Sequence, residues 1–227
     1  MLDIGAFFRG QALTPIECWA FIVSHGELMP VDNDIHSKNK QATPRELLKM
    51  TTIAYAAMAV VGFEICWWYH KNIRSLLGPL TYDPLMTAGM VVAAVLFLHF
   101  CQRAMEDFFP SYRDFKKTLA ALFSGLGAWG AFWLALVSSA GEEILFRGAI
   151  QPFLGIWFTS FLFGALHLDP EGGVSVWTAW AVLAGVVLGG VVNVTGSLWP
   201  AVAIHFSVNF IGLVALSRQR IKSRSAQ

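Results

Sequence analysis

Between residues 47 and 216 the chain is a train of long apolar runs, and nothing else in it limits the fold so strongly. A hydrocarbon core of about 30 Å needs roughly 20 predominantly apolar residues per helical crossing. Inside it no water is available for backbone N–H and C=O groups, so a spanning segment must pair them internally, as a helix does. Composition points the same way. Of 227 residues, 56% are hydrophobic and 14% are charged, against about 25% charged in soluble domains. The mean hydropathy is +0.55. The expected fold is all-α: a single integral-membrane domain over 1–227, a bundle of about six transmembrane helices.

In chain order, residues 1–30 are mildly apolar but broken by Pro15, Glu17, His25, Glu27 and Pro30. They read as an interfacial helix, with a poorly formed span as the alternative. Residues 31–46 form a polar loop, and Thr43-Pro44-Arg45-Glu46 is a helix start with proline in the first position. Spans are expected at 47–69, which ends in the aromatic belt Trp67-Trp68-Tyr69, and at 84–101. Residues 102–117 read as a charged connector. An apolar stretch runs from 118 to 151, then comes a break at Gln151-Pro152-Phe153-Leu154-Gly155. A shorter helix follows at 156–167, then spans at 174–194 and 198–216. Gly185, Gly189 and Gly190 in the fifth span suit close helix packing. Glu64 and His99 read as a carboxylate that reaches the interface or pairs with a neighbouring helix, and a satisfied core or interfacial histidine.

The tail carries Arg218, Arg220, Lys222 and Arg224 and no acid. Lys/Arg bias places such a tail in the cytoplasm. Counting back six spans then puts the basic 102–117 and 31–46 segments on the same side. A prokaryotic cytoplasmic membrane is expected. The net charge of +1 gives no reason to propose nucleic acid as partner. Cys18, Cys66 and Cys101 show neither metal spacing nor a disulfide pattern. The N-terminus lacks the features of a cleaved signal peptide.

From residue 119 to 168 the only obligately charged residues are Glu142, Glu143 and Arg147. Each costs roughly 2.5–3.5 kcal/mol at the centre of a span on insertion scales. His167, His205 and Asn209 are the other polar residues that stand out. Along one continuous helix, Glu142 and His167 would lie about 37 Å apart. A hairpin turning at 152–155 instead sets both roughly 18 Å from the turn, near mid-membrane. His205 and Asn209, four apart, share a helix face and start about 10–17 Å from the non-cytoplasmic end of their span. Phe163 shares the face of His167. Glu143 and Arg147 form an i,i+4 pair with the acid N-terminal, the better order, which leaves Glu142 turned about 100° away as the free carboxylate. Polar residues can also serve merely as glue between helices. Six at one depth, three of them charged, point to a functional site.

Glu142-Glu143-x-x-x-Arg147, Phe163-x-x-x-His167 and His205-x-x-x-Asn209 resemble the three motifs of the CPBP (ABI) family of intramembrane proteases, which includes the type II CAAX prenyl endopeptidases. Phe146-Arg147-Gly148, Phe163-Gly164-Ala165-Leu166-His167 and Thr195-Gly196-Ser197-Leu198-Trp199-Pro200 extend the resemblance, which covers 138–216 as a protease core. It implies an endopeptidase with its site in an intramembrane polar cavity, acting on a membrane-embedded or lipid-modified protein or peptide. Glu142 and His167 would activate water, and His205 and Asn209 would form the oxyanion hole. No cofactor is expected, although two histidines and one or two glutamates are plausible zinc ligands. His-Glu-x-x-His is absent and Asn209 suits a hydrogen-bond donor, so the metal-free mechanism is favoured. The alternative from another class is a non-catalytic scaffold, transporter or bacteriocin-immunity protein on the same fold.

Overall fold

The structure is a computed structural model that describes residues 43–70, 77, 83–123, 125–168 and 174–224. The expected interfacial helix at 1–30 lies outside these residues, as does the 31–46 loop up to residue 42.

The first helix, α1 (Pro44–His70), begins at the expected start. The Thr43 N–H donates to Glu46 Oε2 at 2.7 Å and the Glu46 N–H to Thr43 Oγ1 at 3.3 Å, a reciprocal cap of two orphan donors. In α2 (Pro84–Phe108), Asp83 Oδ1 accepts from the N–H groups of Leu85 and Met86, each at 2.9 Å. This helix continues past the expected end at 101, because Arg103, Glu106 and Asp107 extend it while lying at its polar end.

The segment read as a connector is itself largely helical. In α3 (Pro110–Leu122), Tyr112, Phe115 and Ala120 are buried while Arg113, Asp114 and Lys117 are exposed. The helix is amphipathic, with one face against the bundle. Arg113 Nη1 donates to the carbonyls of Glu106 at 2.6 Å and Asp107 at 3.2 Å, satisfying the end of α2. Lys116 pairs with Glu106. The third apolar run therefore starts at 127 rather than 118.

That run comprises α4 (Gly127–Glu143), a π-helical segment (Ile144–Ile150) and α5 (Gln151–Ala165). Straight, its 39 residues would measure about 58 Å, nearly twice a hydrocarbon core. It is not straight. Gly155 has φ 70° and ψ 170°, a backbone that glycine adopts without steric cost. The rings of Phe146 and Phe163 lie 5.1 Å apart, where a continuous helix would separate them by about 25 Å. The run is a hairpin, as the Pro152–Gly155 break predicts. Then α6 (Val176–Thr195) ends at left-handed Gly196 (φ 66°), and α7 (Trp199–Arg224) follows.

Five helical runs are long and apolar enough to cross a membrane, and one of them is the two-armed hairpin. Every regular element among the described residues is helical. The core is built from Leu98, Phe146, Phe163, Trp180, Leu188 and Ile204. The outer surface shows Trp67, Trp68, Leu85, Phe100, Trp129 and Trp157. An apolar exterior of this extent fits lipid and not water: this is an integral membrane helix bundle. Glu64 is exposed on α1 beside the Trp67-Trp68-Tyr69 end. His99 is half-buried with Nδ1 3.3 Å from Gln102 Oε1.

Candidate active site

The site is built where α4, the π-segment, α5 and α7 meet. The backbones approach closely here because Gly141 faces α1: a Cβ at that position would lie 2.6 Å from the Tyr55 carbonyl oxygen. The π-segment begins directly after Glu143. Such i→i+5 turns add a residue per turn and cluster at functional sites.

Glu143 is fully buried and takes two partners on one oxygen. Arg147 Nη1 donates to Glu143 Oε1 at 3.2 Å, and His205 Nδ1–H donates to the same oxygen at 2.8 Å. The guanidinium is also buried. Its carbon lies 4.4 Å from the Phe163 ring centroid, a cation–π contact, and Nη2 reaches the Gly185 carbonyl at 3.4 Å. Four residues on, Gln151 Nε2 donates to the Gly189 carbonyl at 3.0 Å and to Asn193 Oδ1 at 2.8 Å. These contacts fasten the π-segment to α6.

Glu142 stands differently. It is 4% exposed, and its Oε2 has no hydrogen-bond partner among the described residues. His205 Nε2 approaches that oxygen at 3.6 Å, beyond hydrogen-bond length. The two carboxylates thus face opposite nitrogens of one imidazole: Nδ1 is committed to Glu143 and Nε2 is turned towards Glu142.

His167 stands just past the end of α5. Its Nδ1 lies 2.7 Å from the Phe163 carbonyl oxygen. A carbonyl only accepts, so Nδ1 carries the hydrogen and, in the neutral ring, Nε2 holds the lone pair. Phe163 sits between the parts, 4.4 Å from the His167 ring and 6.0 Å from that of His205. His167 is within Coulombic reach of Glu142, His205 and Arg147. Asn209 Nδ2 donates to Ser138 Oγ at 3.1 Å. The structure therefore gathers Glu142, Glu143, Arg147, His167 and His205 around Phe163, with Asn209 one helical turn from His205.

Three neighbours were not singled out from the sequence. Ser138 lies four residues before Glu142, so the rule that joins His205 to Asn209 places it on the Glu142 face. Thr178 Oγ1 donates to the His167 carbonyl at 2.9 Å. The Trp177 ring lies 5.9 Å from His167 and 5.2 Å from Phe115 of α3, linking the amphipathic helix to the site. No spacing signal marks Thr178 or Trp177, because their roles depend on how helices pair.

Among the described residues no group of three His, Cys, Asp or Glu side chains is arranged to hold a metal ion. Glu143 Oε1 is shared by a guanidinium and an imidazole.

The fold and these side chains define a membrane-embedded helical protein with a buried Glu/His/Arg cluster. Residues 124–211 match the family described as type II CAAX prenyl endopeptidase Rce1-like, so this part of the chain is similar to that peptidase family. The match contains all six residues of the cluster. A Bacillus subtilis (strain 168) protein named "Uncharacterized protein YpbD" is 28% identical over 126 residues, which cover 54% of this chain and 64% of that protein. The match thus spans just under two thirds of that relative's length. No solved structure matches the chain significantly.

Proposed function

We propose that the chain is a glutamate-type intramembrane endopeptidase. It hydrolyses a peptide bond in a membrane-embedded or lipid-modified protein segment. The observation that carries this reading is the unequal state of the two glutamates. Both Oε2 atoms are buried without a hydrogen-bond partner among the described residues, but Glu143 is held through Oε1 by Arg147 and His205, whereas Glu142 meets His205 Nε2 only at 3.6 Å.

In this mechanism a water sits between the Glu142 carboxylate and the His167 Nε2 lone pair. Glu142 takes one proton as the water oxygen attacks the scissile carbonyl carbon. The new oxyanion accepts hydrogen bonds from His205 Nε2–H and an Asn209 Nδ2–H. With Nδ1–H held by Glu143, donation from Nε2 requires the ring to carry a hydrogen on both nitrogens. Collapse of the intermediate breaks the C–N bond, and the proton on Glu142 passes to the leaving nitrogen. Fixed donors in a water-poor site stabilise such an oxyanion more than water does.

The Lys/Arg bias supports a cytoplasmic C-terminus. The test uses protein in liposomes and a quenched peptide ending in S-farnesyl cysteine and three further residues. Wild type cleaves it, Glu142→Gln loses about 1,000-fold or more in rate, as expected for removal of a general base, and excess chelator changes nothing. Glu142→Gln at the wild-type rate sinks the reading. Loss in chelator that zinc restores sinks its metal-free form. Membrane proteomics of wild-type against Glu142→Gln cells then identifies the natural substrate.

A further inference from the structure

The site helices α4 and α7 run antiparallel, and two polar rungs join them. One is the pair Glu142 and Glu143 with His205. The other, one turn away on each helix, is Ser138 with Asn209. Ser138 is 4% exposed, and its partner across the rung is a residue the mechanism needs in one orientation only.

We infer that Ser138 is a positioning residue that sets which end of the Asn209 amide faces the reacting carbonyl. This rests on the protease reading above. An asparagine amide carries a donor end and an acceptor end of nearly identical shape. Only the donor end stabilises an oxyanion; the acceptor end repels it. The Ser138 hydroxyl donates to the Ala135 carbonyl oxygen at 3.3 Å, an oxygen it shares with the Ser139 hydroxyl at 2.7 Å. Its oxygen is then an acceptor, and Asn209 must present Nδ2 to it, at 3.1 Å. One N–H of Nδ2 is held by Ser138 and the second is left for the substrate. Reversing the amide would set Oδ1 against a hydroxyl oxygen whose proton is already given away. The chain Ala135 carbonyl, Ser138 hydroxyl, Asn209 amide thus carries orientation from the α4 backbone to the reacting centre.

The test uses the same farnesylated peptide in liposomes. Ser138→Ala lowers kcat about tenfold with KM within about twofold, because the contact acts in the transition state and not in binding. Ser138→Thr, which keeps the hydroxyl, restores most of the rate. In an Asn209→Ala background, Ser138→Ala has no further effect, since the group it orients is gone. A role in packing alone predicts the same proportional loss in both backgrounds, and that result overturns the assignment. So does a Ser138→Ala enzyme at the wild-type rate. Selective 15N-asparagine labelling gives a readout independent of turnover. The Asn209 side-chain amide signal shifts in Ser138→Ala, and an unmoved signal overturns the proposal. If the wild type leaves the peptide intact, it is the protease reading that fails, and the amide signal alone decides Ser138.

Discussion

Two charge pairs at helical spacing sit at opposite extremes of this molecule. Lys117 and Asp114 in α3 lie 2.7 Å apart with side chains 76% and 71% exposed. Arg147 and Glu143 lie 3.2 Å apart with side chains 1% and 0% exposed. In sequence both are an acid followed by a base, three residues on in one and four in the other. Physically the first is a solvated pair that water and salt screen. The second has lost its water, and each charge is retained only because the other is present. The difference shows how to tell a pair that decorates a surface from one on which a site depends. The buried pair recruits further partners, the Phe163 ring, the Gly185 carbonyl and His205.

The largest expected effect comes from breaking the buried pair on one side. Arg147→Met leaves Glu143 buried without its cation and costs about 3–5 kcal/mol, readable as a lowered melting midpoint in detergent. Glu143→Gln combined with Arg147→Met removes both charges and recovers much of that loss while activity stays absent. If the double variant is no more stable than Arg147→Met, the pair is not what makes these charges tolerable. Next comes Gly141→Ala, which drives a methyl towards the Tyr55 carbonyl and costs about 1–3 kcal/mol by overpacking. Its activity falls more than its stability, since the displaced helix carries Glu142. A smaller effect is expected at the hairpin turn. Gly155→Ala puts a Cβ on a positive-φ residue and costs about 1–2 kcal/mol, measured by the same unfolding assay.

The smallest effect sharpens the comparison from the other side. Lys117 holds the Asp114 carboxyl below its ordinary range, first by hydrogen bond and then by charge. A carboxyl depressed in the folded state stabilises above its unfolded pKa and loses that contribution as pH falls through the folded value. Because the pair is fully solvated, Lys117→Ala and Asp114→Asn leave the melting midpoint unchanged at neutral pH. A clear drop in either would mean that burial is not what separates the two pairs.

Much of the fold was legible because its signals are local. Apolar runs gave the spans, Pro44 gave the start of α1, and Thr195-Gly196-Ser197 gave the turn before α7. The hairpin followed from Pro152 and Gly155 plus the 37 Å or so that one continuous helix would put between Glu142 and His167. What was missed is instructive. Residues 102–117 looked like a connector because their charges outnumber their apolar groups. Yet Tyr112, Phe115 and Leu119 recur at three and four residues, the mark of an amphipathic helix. The six polar residues of the site were legible as expensive anomalies in an apolar chain. Their partners were less so. Nothing in the sequence says that Asn209 meets Ser138 or that Thr178 meets His167, because those pairings depend on the register between helices. The sharing of one imidazole by two adjacent glutamates was equally hidden. A regular helix would turn Glu142 and Glu143 well apart, and only the coordinates show both reaching His205.

The π-segment after Glu143 carries a consequence for how such a chain can change over generations. Its i→i+5 bonding is what an α-helix becomes when one residue is inserted and the ends are held in place. Deleting a single residue between 144 and 150 would relax it to an ordinary helix. With the ends held, Glu142 on one side and the hairpin turn on the other would keep their facing. What would change is the wide turn itself, which carries Arg147 between Glu143 and the Phe163 ring. The segment is thus a place where the bundle can gain or lose a residue while its flanking helices stay in register.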